Sequence, residues 1–314
     1  MSLVIVGTVA FDTIETPYGK ADMVVGGAAL YGSIAASHYT KDVQLVSVIG
    51  GDFPQEELDF MAARGINQEG LQIKKDEKSF YWSGRYHNNM NSRDTLVTDL
   101  NVLADFDPVL PESYKASDYV MLGNLQPEVQ LRVIQQMNRR PKLIIMDTMN
   151  FWMDIAMDSL KKTIAQIDVL TINDEEARQL SGEYSLVKAA AKILDMGPRY
   201  LVIKKGEHGA LLFDKNNIFS APALPLAEVY DPTGAGDTFA GGFAGYIAQT
   251  NDISFDNLKR AIIHGSAMAS FCVEKFSNQR LKALTSEDLE SRLQQFVKLT
   301  SFKLTVPEAV GGLQ

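Results

Sequence analysis

The chain has 314 residues, 46% of them hydrophobic, and a formal net charge of −9 from 30 basic and 39 acidic side chains. An acidic chain without a basic run is a poor partner for nucleic acid or an anionic membrane, and no apolar stretch is long enough to span a bilayer. The single cysteine, Cys272, excludes an internal disulfide and a cysteine-rich zinc site, and the 4 histidines show no metal-ligand spacing.

In chain order, residues 3–7 read as a buried strand with no charged leader before it, so a cytoplasmic location is expected. Residues 11–25 read as a hairpin around Tyr18-Gly19. A helix at 28–37, a strand at 44–49 and a helix at 55–63 follow. Residues 78–98 alternate, with Phe80, Trp82 and Tyr86 on one face and Tyr81, Ser83 and Arg85 on the other. Paired with the hairpin, this stretch makes a small sheet standing off the body, either a lid over a site or an edge sheet that dimerises. Apolar strands at 119–122, 142–146, 169–172 and 200–204 then alternate with helical stretches at 127–138, 154–165, 174–180 and 185–194. The remainder is helical, at 237–249, 255–271 and 286–299. Strands that alternate with helices predict an α/β fold. It is doubly wound, with a mostly parallel sheet, helices on both faces and a small β-sheet lid. On this reading residues 1–10, 28–74 and 100–314 form the core, and 11–27 and 75–99 form the lid.

The loop Asp231-Pro232-Thr233-Gly234-Ala235-Gly236-Asp237 carries the most chemistry. It runs into a helix, so it places small residues and an acid where backbone N–H groups lack internal partners and the helix dipole is positive. Glycines there let a phosphate approach the bare backbone. An acid at the end of the loop adds a proton acceptor beside the bound anion, which suits phosphoryl transfer to a hydroxyl. An acid that only served the dipole would contribute under about 1 kcal/mol. Gly241 and Gly242 inside the helix each cost about 1 kcal/mol relative to Ala, so something must approach that helix closely. The dinucleotide fingerprint fails because Phe239 stands at its third glycine position, and Gly19-Lys20 is followed by Ala21, so no Walker A loop exists. A nicotinamide oxidoreductase is thereby disfavoured.

The run from Asp231 through Ala244 resembles the C-terminal signature of the ribokinase-like (PfkB) family of sugar and nucleoside kinases, and the resemblance extends over nearly the whole chain. It implies that Asp237 is the catalytic base and that the N–H groups of Gly234, Ala235 and Gly236 form an anion hole. A carboxylate at its ordinary pKa of about 4 cannot deprotonate an alcohol outright, but it can take the proton as the O–P bond forms. Asp231 and Thr233 match positions that hold a monovalent cation, K⁺, in some members.

Asn173-Asp174-Glu175-Glu176 is by itself a capping box. By resemblance Asn173 and Glu176 position Mg²⁺ and phosphate, Glu176 through metal-bound water. Lys204-Lys205-Gly206-Glu207-His208-Gly209 is by itself a turn before another strand at 210–213. By resemblance Gly206 and Gly209 leave room for ATP, and Lys204 or Lys205 reaches a phosphate. Ser266, on the small-residue face Gly265-Ser266-Ala267-Met268-Ala269, stands where relatives seat adenine; close helix packing explains that face equally well.

On the acceptor side the resemblance implies that Asp12 binds hydroxyls, that Gly26 and Gly27 line the site and flex with the lid, and that Asn150 adds a contact. Tyr31 departs from the family, since many sugar kinases carry Asn there to hold the sugar; an aromatic at that position packs into the core by default. The expected protein is therefore an ATP- and Mg²⁺-dependent kinase of a sugar or sugar-like hydroxyl. A nucleoside acceptor is the alternative, and a catalytically silent ligand-binding protein on the same fold is a third reading. A homodimer through the lid is also expected.

Overall fold

The computed structural model describes residues 1–303. The first half contains β1 (Leu3–Val6), β2 (Ala10–Thr16), β3 (Gly19–Gly26), α1 (Ala28–Ala36), β4 (Val43–Gly50), α2 (Gln55–Ala63), β5 (Ile66–Lys74), β6 (Phe80–Tyr86) and β7 (Arg93–Asp99). Next come β8 (Tyr119–Leu122), α3 (Pro127–Gln135), β9 (Leu143–Asp147), α4 (Asn150–Ile155), α5 (Met157–Ile164), β10 (Val169–Asn173), α6 (Asp174–Ser181) and α7 (Leu186–Leu194). The chain continues through β11 (Tyr200–Lys204), β12 (Ala210–Phe213), β13 (Ile218–Ala221), α8 (Ala235–Thr250), α9 (Phe255–Cys272), α10 (Gln279–Lys282) and α11 (Ser286–Thr300).

Nine strands form one sheet in the order β13-β12-β11-β10-β9-β8-β1-β4-β5, parallel from β5 to β11 and antiparallel beyond. Successive strand residues point to opposite faces, and both faces are covered. Leu3 and Ile5 pack with Leu30 and Ile34 of α1, Phe243 of α8 and Met268 of α9, whereas Val4 and Val6 pack with Val133 of α3, Ile164 of α5 and Ile193 of α7. This is the doubly wound architecture expected from the alternation. The chain leaves β1 toward β4 on one side and returns at β8 on the other, so the strand order reverses between β1 and β8. Ligands of such sheets bind outside the carboxyl ends of the strands at that reversal.

A second sheet of four strands, in the order β3-β2-β6-β7, stands apart from the first. The hairpin of β2 and β3 is antiparallel, β6 joins β2 in parallel, and β7 closes the edge. This is the small sheet read as a lid.

The close approach that Gly241 and Gly242 demand comes from neighbouring helices. A Cβ on Gly241 would lie 2.3 Å from the carbonyl oxygen of Gly32 in α1, and one on Gly242 would lie 2.8 Å from Cγ of Met268 in α9. A Cβ on Gly265 would lie 2.7 Å from the carbonyl oxygen of Phe239. Helices α1, α8 and α9 therefore meet almost backbone to backbone, which holds the N-terminus of α8 rigidly over the sheet. What approaches the helix at Gly241 and Gly242 is therefore neighbouring helix, not ligand.

Strands β5 and β13 are edge strands with mixed polar sequences, INQEGLQIK and IFSA, and lack the apolar run that marks the central strands. The helix read at 154–165 is interrupted at Ala156 (φ −140°, ψ 32°), which gives α4 and α5.

Candidate active site

Four parallel strands deliver their last residues to one edge of the sheet: β1 ends before Gly7, β9 at Asp147, β10 at Asn173 and β11 at Lys204. The N-terminus of α8 opens above this edge. Gly234 caps it with φ 75°, and a Cβ there would stand 2.4 Å from the Tyr31 ring, so both conformation and space require glycine. Tyr31 is itself 1% exposed and packs in the core under the loop, as expected for an aromatic at that position. The N–H of Ala235 already donates to the carbonyl of Pro232 (3.2 Å), while Gly236 and Asp237 follow in the first turn of the helix.

The Lys204 Nζ lies 2.5 Å from Asp147 Oδ2, and 3.2 Å from where a Cβ on Gly236 would stand. Burial opposes the charge on Lys204, but Asp147, Glu176 and Asp237 together hold its pKa above the ordinary lysine value. Asp147 is fixed from two more sides. Thr171 Oγ1 donates to its Oδ2 (3.1 Å), and Gln130 Nε2 donates to its backbone carbonyl (2.9 Å). The other lysine, Lys205, donates its backbone N–H to Gly209 O (2.7 Å) and begins the turn where Gly206 and Gly209 take φ 53° and 85°.

Asp237 is a half-buried acid whose pKa is pushed up to about 7, mainly by desolvation and then by the charge of Asp147, with Lys204 and Arg93 pulling the other way. The ordinary carboxylate value assumed from sequence is thus corrected. Such a group is half ionised near neutral pH, where a general base works best. Glu176 behaves alike, raised to about 7 by burial, with Lys204 opposing and Asp147 reinforcing. It also makes the capping box: Asn173 Oδ1 accepts from Glu176 N (2.8 Å) and Glu176 Oε2 accepts from Asn173 N (2.7 Å).

Asp12 lies in β2, 5% exposed, with its pKa raised to about 8 by burial first and then by Asp231 and Asp237. A Cβ on Gly26 would overlap its Oδ2 at 2.0 Å, so the glycine of β3 is what admits this side chain. Gly27 caps α1 at φ 101°. Asp231 is 1% exposed; its Oδ1 accepts from Thr233 N (2.8 Å) and its Oδ2 from Ser277 N (2.9 Å). Both carboxylate oxygens thus staple the loop, and the Thr233 hydroxyl donates to the Tyr86 hydroxyl (3.2 Å).

The small sheet lies down on this cluster. Besides the Thr233–Tyr86 bond, a Cβ on Gly206 would come within 2.7 Å of Asn91 Oδ1 at the β6–β7 tip. Arg93, at the start of β7, is close enough for its charge to act on both Asp237 and Glu176. Sequence reading missed Arg93 and Asp147. Nothing in the polar run Asn91-Ser92-Arg93-Asp94 separates that arginine from Arg85, which instead pairs with Glu15 (3.0 Å). Asn150 and Ser266 are not brought into the cluster by any hydrogen bond. Asn150 is exposed with its Oδ1 on the N–H of Phe151 (3.0 Å), and Ser266 is half-buried on α9. Among the described residues no group of three or more His, Cys, Asp and Glu side chains is arranged to hold a metal ion, and no helix is long and apolar enough to cross a membrane.

A doubly wound sheet with an acid and a lysine at a glycine-bounded helix start, under a small β-sheet, is an arrangement suited to phosphoryl transfer. Residues 2–283 match the model of the pfkB family of carbohydrate kinases, and the chain belongs to that family: it is an ATP-dependent kinase. A cytidine kinase from Thermococcus kodakarensis is 32% identical over 254 residues, covering 78% of this chain and 88% of that one. Among solved structures, a nucleoside kinase from Burkholderia thailandensis in complex with inosine superposes with a TM-score of 0.74 at 20% identity, covering 95% of this chain and 99% of that one. An E. coli chain solved with ATP and Mg²⁺ gives a TM-score of 0.77 at 17% identity, covering 94% and 99%.

Proposed function

We propose that this kinase transfers the γ-phosphate of ATP to a hydroxyl of a nucleoside, with cytidine the first acceptor to test. The convergence of Lys204 and Asp237 on Gly236 supports the phosphate site, and the similarity to a cytidine kinase supports the acceptor class. Of the acceptors expected from sequence, the relatives thus favour the nucleoside over a simple sugar.

In this reading the unpaired N–H groups of the α8 N-terminus and the Lys204 ammonium receive the phosphates. Asp12, next to Gly26 and Gly27, binds the acceptor hydroxyls. As the acceptor oxygen bonds to the γ-phosphorus, the bond to the β–γ bridging oxygen breaks, ADP leaves, and the hydroxyl proton passes to Asp237. Mg²⁺ supplies charge neutralisation of the phosphates when bound. The donor set fits an ion that keeps most of its waters, because the carboxylates of Glu176 and Asp147 flank Lys204 without forming a closed cage. Residues 11–27 and 75–99 act as the lid, and Arg93 adds a positive charge over the transferring group. Lid closure excludes water, which would otherwise compete as acceptor. The exposed apolar residues Leu96 and Val97 of the edge strand β7 are the proposed dimer surface, checked by the mass in solution.

The test is purified protein with Mg²⁺-ATP and a panel of cytidine, uridine, adenosine, inosine, ribose and fructose, with nucleotides and sugar phosphates separated by chromatography. Cytidine monophosphate should appear in step with ADP. Phosphorylation of the free sugars alone would overturn the acceptor class, and tight nucleotide binding without any turnover would favour the silent reading.

A further inference from the structure

We propose that Ser277 is a positioning residue that ties the lid strand β3 to the anion-hole loop, so that the acceptor side and the phosphate side of the site are held in one register. This rests on the acceptor-side reading given under Proposed function. Three observations carry it. Ser277 is 3% exposed, in the link between α9 and α10, yet its two polar groups reach two different parts of the site. Its backbone N–H donates to Asp231 Oδ2 (2.9 Å), and its hydroxyl donates to the carbonyl of Val25 (2.6 Å). Val25 directly precedes Gly26, the residue that admits the Asp12 side chain, and Asp231 holds Thr233 one residue before the Gly234 cap.

The third observation is backbone conformation. Ser277 takes φ 56°, the left-handed region that penalises a side chain and favours glycine. A non-glycine residue persists there when its surroundings over-determine it, and such residues gather at functional sites. Glycine at this position would keep the N–H bond to Asp231 and relieve the backbone. What serine adds, and glycine cannot, is the hydroxyl that grips Val25. The structure thus keeps a strained serine for its hydroxyl, which grips the strand that carries the acceptor-side glycines and also lies beside the buried Tyr31 hydroxyl.

The experiment uses the full chain with Ser277→Gly and Ser277→Ala. Ser277→Gly should lower Tm less than Ser277→Ala does, because both lose the hydroxyl bond and only glycine relieves the backbone. Both variants should speed amide hydrogen exchange across Gly19–Gly26 in the ligand-free protein. Both should raise KM for cytidine at least 5-fold, with the affinity for ATP within 2-fold of wild type. Acceptor recognition then fails alike in two variants of unequal stability, with ATP affinity kept, which a merely structural serine would not produce. Unchanged exchange across β3 in both variants would overturn the inference, as would a loss shared equally by ATP and acceptor. If the wild type takes no nucleoside, the acceptor reading fails instead, and the exchange measurement still decides the role of Ser277.

Discussion

The Lys204 ammonium is clamped 2.5 Å from Asp147 Oδ2 and lies against Gly236, in the first turn of α8. Lys205, its neighbour in sequence, begins the turn that Gly206 and Gly209 shape. Strand alternation explains the difference: adjacent residues at a strand end leave on opposite sides. Lys204→Met should therefore lower kcat/KM for ATP by about 100-fold or more, roughly 3 kcal/mol of transition-state stabilisation, and Lys205→Met by less than about 3-fold. Steady-state kinetics of the two variants checks this. A reversed order would move the phosphate contact to Lys205.

The pH dependence of catalysis follows from Asp237. A base with a pKa of about 7 is increasingly protonated below that value, so kcat/KM should fall on the acid side with a limb near pH 7, instead of near 4. A profile flat down to pH 5 would contradict the burial of this carboxyl.

Stability should change with pH in the opposite sense. Asp12, Glu176 and Asp237 have folded-state pKa values of about 8, 7 and 7 against ordinary values of 3.8, 4.5 and 3.8, so the folded chain holds protons that the unfolded chain has released. Stability from these acids is full below the unfolded values and declines as pH rises through the folded ones. The half-buried His38 and His264, both lowered from 6.5 to about 4, act oppositely, but only below pH 6.5. Between pH 6.5 and 8 the acids act alone, and Tm of the ligand-free protein should fall as pH rises. Asp12→Asn should flatten that slope. Differential scanning fluorimetry across this window reads both effects.

Gly241 separates helix propensity from packing. Propensity alone gives Gly241→Ala a stabilisation of about 1 kcal/mol. A Cβ there would stand 2.3 Å from a backbone oxygen of α1, which cannot swing aside, so overpacking of about 1–3 kcal/mol should prevail and Tm should drop. A raised Tm would show that α1 and α8 are less tightly packed than described.

The doubly wound core was legible because buried parallel strands read as unbroken apolar runs, as Leu143–Asp147 and Tyr200–Lys204 do. The glycine-rich loop was legible because few other sequences set an acid and bare amides at a helix start. Edge strands β5 and β13 were not, since one side of each faces water and their residues follow suit. Asp147 was legible only as part of a strand end on the expected side of the sheet, because its pairing with Lys204 depends on β9 and β11 lying either side of β10. Ser277 owes its bond to Val25 to a segment 252 residues away, Arg93 meets Asp237 and Glu176 only when β7 folds over the sheet, and the raised pKa of Asp237 owes its origin to desolvation that only the folded chain creates.

The most direct test is Asp237→Asn, which keeps the shape of the helix start and removes the proton acceptor. With ATP affinity measured by calorimetry and turnover by ADP release, affinity should stay within about 2-fold while kcat falls by about 100-fold or more, the usual span of a lost general base. A kcat within a few-fold of wild type, a difference of about 1 kcal/mol, would mean that another group takes the proton.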